Sequence, residues 1–294
     1  MRALTPVAGF IRKLVVEFPQ GGDVNCYFIE GERGHTVIDT GIRSERAVRQ
    51  WEAIVSAGIA IEKVVLTHTH PDHIGMAGWL RRRLRVPICM SAVGFDAIRT
   101  QRLQSDAESF EPDELYEDGQ MIDIGGRGYM AIWTPGHAPD HFCFYDPKEG
   151  VMFAGDHVIA GVNPVVTLWT EHGGNPLLHY LRSLERVMDM SVSLVLPGHG
   201  EPVYDLRRRV AEIRDAHFFR MEQIRNLLAG EEMTAGELCK RVYGERGNDG
   251  KAAMELQSTL ARLVYLESLG SVASRIDHGV ALFRIGENPR HLGK

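Results

Sequence analysis

Thr67-His68-Thr69-His70-Pro71-Asp72-His73-Ile74-Gly75 places three histidines and an aspartate within six positions. The segment follows Glu62-Lys63-Val64-Val65-Leu66, a short β-branched run that reads as a strand. Burying so many polar side chains at a strand exit is costly unless something coordinates or hydrogen-bonds them. His68 and His70 alternate along extended chain, so both imidazoles face one side and one ion. Asp72 and His73 fall where the chain turns into the next helix, displaced toward a second position. Imidazole with carboxylate suits zinc, iron or manganese better than calcium.

Further ligand types end later strand-like runs, at Pro135-Gly136-His137, Ala154-Gly155-Asp156-His157 and Pro197-Gly198-His199-Gly200. The neighbouring glycines permit tight turns that bring backbone close to an ion. With the first cluster they make five histidines and two aspartates, enough for two metals with open positions. His157 follows Asp156 and, by strand alternation, faces away. His172, on a Gly-rich loop, and His217, on a long helix, read as cleft or surface residues. His35, His141, His179, His278 and His291 carry no signal. Neither G-x-S-x-G, a strand-linked G-x-G-x-x-G nor G-K-[ST] occurs, so serine-nucleophile, dinucleotide and P-loop chemistry lack support.

The elements that must hold these residues alternate strands with helices. Val24 to Glu30 and His35 to Gly41 read as a hairpin across Gly31-Glu32-Arg33-Gly34. Ala47, Trp51, Ile54 and Val55 share a helical face ending at Gly58. Residues 75–84 form another helix, and 87–90 a short strand. Residues 96–118 read as a polar surface excursion walling a cleft. Strands resume at 121–124, 128–136, 141–146, 150–156 and 193–200, with Leu177, Leu181, Leu184 and Met188 on a helix between the last two. Two layers of sheet covered by helices result. A long amphipathic helix follows over 205–230, then two helices and a hairpin around Asp277-His278-Gly279, which is a winged-helix pattern. The division expected is 1–215 for the catalytic part and 216–294 for linker helix and winged helix.

The chain has 294 residues, 44% of them hydrophobic, ample for a sizeable core and incompatible with disorder. No apolar window is long enough to span a membrane. A start without a secretory pattern, and four scattered cysteines, point to a reducing, cytoplasmic setting. The net charge of −6 supplies no basic field for nucleic acid. Residues 211–294 carry 12 basic and 12 acidic side chains, which argues against DNA binding by the winged helix. Packing against the catalytic part, or a homodimer through the apolar faces of 254–270, is the preferred role.

From about residue 12 to 205 the chain resembles the metallo-β-lactamase superfamily, whose H-x-H-x-D-H motif is followed by separate His, Asp and His. That resemblance implies an αβ/βα four-layer sandwich with the site on one edge. It implies that His68, His70 and His137 hold one metal, that Asp72, His73 and His199 hold another, and that Asp156 bridges them. Asp39 resembles the family's early supporting aspartate. The chain also resembles a subgroup with an appended C-terminal winged helix, which includes an endoribonuclease and polyketide-releasing thioesterases, so substrate does not transfer from membership. It departs from the secreted β-lactamases in having Asp156 at the bridging position and no leader, which disfavours antibiotic hydrolysis.

Two divalent cations, zinc before iron or manganese, would make hydroxide available near neutral pH for attack on a carbonyl or phosphorus. Asp72 is the candidate catalytic carboxylate, orienting the nucleophile or moving a proton. Phe18, Tyr27, Val165, Val166, Leu168 and Trp169 are candidate walls of an apolar cleft. Such a cleft suits a small acyl substrate, so hydrolysis of a thioester, ester or lactone is the leading expectation. A phosphodiesterase or endoribonuclease is the alternative, followed by a non-catalytic binding or regulatory protein.

Overall fold

The computed structural model describes residues 4–18, 21–101, 110–168, 174–245 and 250–287. A seven-stranded sheet runs in chain order through β1 (Thr5–Ala8), β2 (Ile11–Glu17), β3 (Asp23–Glu30), β4 (His35–Ile38), β5 (Ile61–Val65), β6 (Ile88–Ser91) and β7 (Glu114–Tyr116). The first four strands pair antiparallel, and β4 to β7 pair in parallel. Helices α1 (Glu45–Ser56), α2 (Pro71–Ile74), α3 (Ala77–Leu84) and α4 (Ala92–Gln101) connect the parallel strands. Parallel strands end on one edge of a sheet, where ligand sites collect. The chain leaving β4 at Asp39 and that leaving β5 at Thr67 therefore emerge together.

The second sheet has five strands in the order β12-β11-β10-β9-β8. They are β8 (Met121–Ile124), β9 (Arg127–Trp133), β10 (Phe142–Asp146), β11 (Val151–Gly155) and β12 (Leu194–Pro197), with α5 (Pro176–Met188) crossing between the parallel pair β11 and β12. That crossover brings Asp156 and His199 to the same edge.

Alternation explains the layering. In β3, Tyr27 and Ile29 join an inter-sheet core with Phe142, Phe144 and Phe153, while Cys26 and Phe28 face Trp51 and Ile54 of α1. In β10, Cys143 and Tyr145 turn the other way, toward Leu177 and Leu184 of α5. Strands buried on both faces need apolar residues at nearly every position, as β3 and β10 have. The result is helix, sheet, sheet, helix, the four-layer order expected.

Residues 96–118 are more than a surface excursion. They finish α4 and supply β7, whose Tyr116 is fully buried in the inter-sheet core. Two buried aromatics, Phe110 and Tyr116, in a polar stretch leave no period to read, and residues 102–109 lie outside the described residues.

Beyond the sheets lie α6 (Leu206–Leu228), β13 (Met233–Thr234), α7 (Ala235–Tyr243), α8 (Gly250–Ser268), β14 (Val272–Asp277) and β15 (Val280–Ile285). The last strands form a small sheet ordered β13-β15-β14. Thr234 caps α7 and exchanges bonds with Glu237, three residues on, in a capping box. One apolar cluster joins Leu184 and Val195 to Met221, Leu238, Leu263 and Phe283, so packing is continuous from the second sheet into this segment. No helix among the described residues is long and apolar enough to cross a membrane.

Candidate metal centre

Asp39 ends β4 in a left-handed conformation, φ 59°, that few residues other than glycine adopt. The turn aims its carboxylate inward, where it is 1% exposed. One oxygen accepts from Thr67 N at 2.8 Å, and the other from Thr67 Oγ1 at 2.8 Å and His73 Nδ1 at 2.7 Å. A carboxylate only accepts, so His73 carries its proton on Nδ1 and presents Nε2 to the site. Thr67 Oγ1 also lies 3.0 Å from His68 Nδ1, which sets His68 Nε2 inward in the same way.

The other strand ends are pinned similarly. His137 donates from Nδ1 to the Val165 carbonyl at 2.7 Å, which turns Nε2 toward the site. His199 donates from Nδ1 to the Asp23 carbonyl. The loop carrying His199 is held from the first sheet by Asn25, which donates to the carbonyls of Pro197 and Gly200 at 3.0 and 2.9 Å, and by Tyr27, whose hydroxyl reaches Pro197 O at 2.8 Å. Gly198 is required here: a Cβ would lie 2.5 Å from Asp156 Oδ1 and 2.7 Å from His73 Cε1.

These orientations converge. His70 Nδ1 is 3.0 Å from His68 Nε2 and 2.9 Å from His137 Nε2. His199 Nε2 is 3.3 Å from both Asp72 Oδ2 and Asp156 Oδ2, and His73 Nε2 is 3.4 Å from Asp156 Oδ1. Asp156 Oδ2 also faces His137 Nε2 at 3.4 Å, so this carboxylate stands between the two histidine groups. Three sets keep their ligand atoms within 4.8 Å of one another: His68, His70 and His137; His68, His73 and Asp156; Asp72, His73 and His199. All seven residues singled out from the sequence thus meet on one edge.

The electrostatics divide the site. Burial, then repulsion among neighbouring imidazoles, pushes His68 well down; burial and His137 take His70 to about 3, and burial also lowers His137. Both effects favour the neutral ring, the form in which an imidazole binds a metal. Burial opposes charge on His73 and His199 too, but Asp156 and Asp39 raise His73, and bonds to Asp156 and Asp72 take His199 to about 10. Burial is likewise overcome at the acids: His73 and His199 hold Asp156 well below the carboxylate range, and His199 and His73 hold Asp72 at about 2.

A cation fits this donor set. Among the described residues, His73 Nε2 and Asp156 Oδ1 are buried with no well-formed hydrogen bond, facing each other at 3.4 Å. The separations near 3 Å among His68, His70 and His137 approach those of ligands on one ion with bonds of about 2 Å.

Other expectations need correction. Tyr27 is 2% exposed and supports the His199 loop instead of walling a cleft; Val166, also 2% exposed, belongs to the core beside α5. Leu168 packs partly on that core, and Phe18 sets its ring edge-on to His199 with centroids 6.1 Å apart. Trp169 and His172 lie outside the described residues. His157 faces away from the ligands, fully buried, and His217 is a buried residue of α6 packed on Tyr180. His141 had no sequence signal but is part of the support. Its Nδ1 meets Thr134 Oγ1 at 2.8 Å and its Nε2 accepts from Asp156 N at 3.0 Å. Only its spacing after His137 in Pro135-Gly136-His137-Ala138-Pro139-Asp140-His141 could have flagged it.

A model of the metallo-beta-lactamase superfamily matches residues 19–199, which contain every one of these ligands, and the chain belongs to that superfamily. It is a hydrolytic enzyme with the mixed α/β fold and metal-binding character of the class. Over 301 aligned residues it is 26% identical to the probable metallo-hydrolase YqjP of Bacillus subtilis, covering 90% of this chain and 93% of the relative. It is 28% identical to an atrochrysone carboxyl ACP thioesterase of Aspergillus chevalieri, covering 81% of this chain and 75% of that protein. A beta-lactamase domain protein from Burkholderia ambifaria superposes with a TM-score of 0.87 at 27% identity, covering 96% of this chain and 93% of that one.

Proposed function

We propose that the site holds two divalent cations, zinc by preference, and hydrolyses a thioester, ester or lactone. His68, His70 and His137 form one ligand set, Asp72, His73 and His199 the other, and Asp156 is shared. The observation carrying this reading is the position of Asp156, with Oδ2 facing His137 and His199 and Oδ1 facing His73. When bound, such cations supply a water activated near neutral pH and a Lewis acid for the carbonyl oxygen.

The chain's own residues do the positioning. Asp39, Thr67, Val165 and Asp23 fix which imidazole nitrogen of His73, His68, His137 and His199 faces the reaction. Asp72 is more exposed than Asp156, with side-chain accessibilities of 24% and 8%. Ionised at neutral pH, it can accept a hydrogen bond from the attacking water and pass a proton to the leaving group. Phe18 offers an apolar edge beside His199 for an acyl chain.

Carbonyl chemistry is favoured over phosphodiester cleavage by the net charge of −6, which gives no field for a polyanion, and by similarity to a named thioesterase. The C-terminal segment is read as a winged-helix-like unit appended at 216 that packs on the catalytic part. The free cysteines, with Cys26, Cys89 and Cys143 buried, support a reducing cytoplasmic setting.

A panel of acyl-CoA thioesters, lactones, nitrocefin and bis-p-nitrophenyl phosphate tests the assignment. Turnover of the carbonyl substrates, lost in His68→Ala, is expected. Cleavage of the phosphodiester alone would transfer the enzyme to the nuclease branch.

A further inference from the structure

Arg209 lies in the first turns of α6, away from the ligand motifs, and is 9% exposed. Its guanidinium serves the loop that follows Asp156. Nε donates to Ile159 O at 2.7 Å, and Nη2 donates to Val162 O at 2.7 Å and Asn163 Oδ1 at 3.1 Å. Glu212, one turn on, accepts from Nη1 at 3.1 Å and balances the charge. The loop over 159–166 has no helix or strand of its own and includes Gly161 at φ 71°. A segment without ladder hydrogen bonds takes its shape from side chains that satisfy its carbonyls.

That shape reaches the metal centre at both ends. The loop begins three residues after Asp156, and at its far end Val165 gives His137 the carbonyl that fixes its ring. Val162, exposed in the same loop, presents an apolar side chain to solvent.

We infer that Arg209 is a positioning residue for the hydrolytic site: its planar fork sets the 159–166 loop, and through Val165 the orientation of His137. This rests on the reading of His137 as a metal ligand. It also makes α6, which continues into the C-terminal segment, part of what the site requires. A lysine cannot reproduce the fork, because its ammonium is a point donor on a flexible stem.

The test compares Arg209→Ala, Arg209→Lys and Arg208→Ala in the full chain. Arg208 is the control: its side chain is 78% exposed and, among the described residues, bonds Glu212 on the same helix. Zinc affinity is read by competition with a chromophoric chelator, together with the unfolding midpoint of metal-free protein and the split between kcat and KM. Arg209→Ala should weaken zinc binding about 10-fold, the lower end for partners that orient a ligand, and raise KM. Arg209→Lys should recover part of the loss, and Arg208→Ala should match wild type. Wild-type zinc affinity in folded Arg209→Ala overturns the inference. If that variant does not fold, wild-type affinity in Arg209→Lys overturns it equally. Chelator competition needs no substrate, so an error in substrate class leaves this result standing. A wild-type chain that takes up no zinc would sink the metal reading and this inference together.

Discussion

Two clusters of polar side chains, the metal centre and the junction of α5, α6 and α8, differ in what they can bind. At the first, histidines alternate with Asp72 and Asp156, and ligand atoms converge within 4.8 Å. At the second, His157, Tyr180, His217 and Arg262 form a chain between α5, α6 and α8. Ring centroids are 5.2 Å apart from His157 to Tyr180 and 5.6 Å from Tyr180 to His217, and Arg262 Nη2 is 3.4 Å from His217 Nδ1. Both clusters contain buried atoms without a hydrogen-bond partner among the described residues, Nε2 of His217 being one. Orphaned polarity alone therefore does not define a site. Convergence on one point, with carboxylates to balance a cation, separates the metal centre from the junction.

The difference predicts unequal responses to substitution. His68→Ala or Asp156→Ala should lower kcat/KM by well over 100-fold, more than the loss expected for a merely orienting partner. A fall of less than tenfold would put both clusters on the same footing. Asp39→Asn, which disturbs the bonds to Thr67 and His73, should cost about 10–100-fold in zinc affinity by chelator competition. His217→Phe should leave that affinity unchanged.

The junction instead responds to pH. Burial first, and Arg262 second, take His217 to about 3, so the folded protein resists a proton that the unfolded chain accepts near 6.5. Its contribution to stability is complete above 6.5 and is lost as pH falls toward 3, because the unfolded state then binds more protons. In urea titrations of metal-free protein, the destabilisation caused by His217→Phe should shrink across that window. A constant difference would show that the ring is not kept neutral. The smallest effect is expected at the rim, where Phe18→Ala should raise KM by about 2- to 13-fold, since an aromatic contact contributes about 0.5–1.5 kcal/mol.

The two clusters also differ in how far they could be read in advance. The metal ligands were legible because each sits beside a glycine or within one short motif at a strand end, and because seven of them occur in order. Helices α1, α5 and α6 were legible from spacing for the same local reason. The supports were not. Asp39 could be placed only by resemblance, and His141 joins the site through a bond to the backbone of Asp156, fifteen residues on. Arg209 reaches carbonyls 46 to 50 residues earlier, and His217 meets Arg262 across 45 residues. Tyr27 looked like a cleft aromatic because alternation tells which face a residue takes but not what covers that face. Strand β7 escaped notice because three residues give too short a run for any period.

Metal content is the most direct test of the central claim. Elemental analysis of protein purified without added metal, repeated after reconstitution with zinc, should find two equivalents per chain, falling when Asp156 is replaced by alanine. Less than one equivalent after reconstitution would contradict the two-cation site.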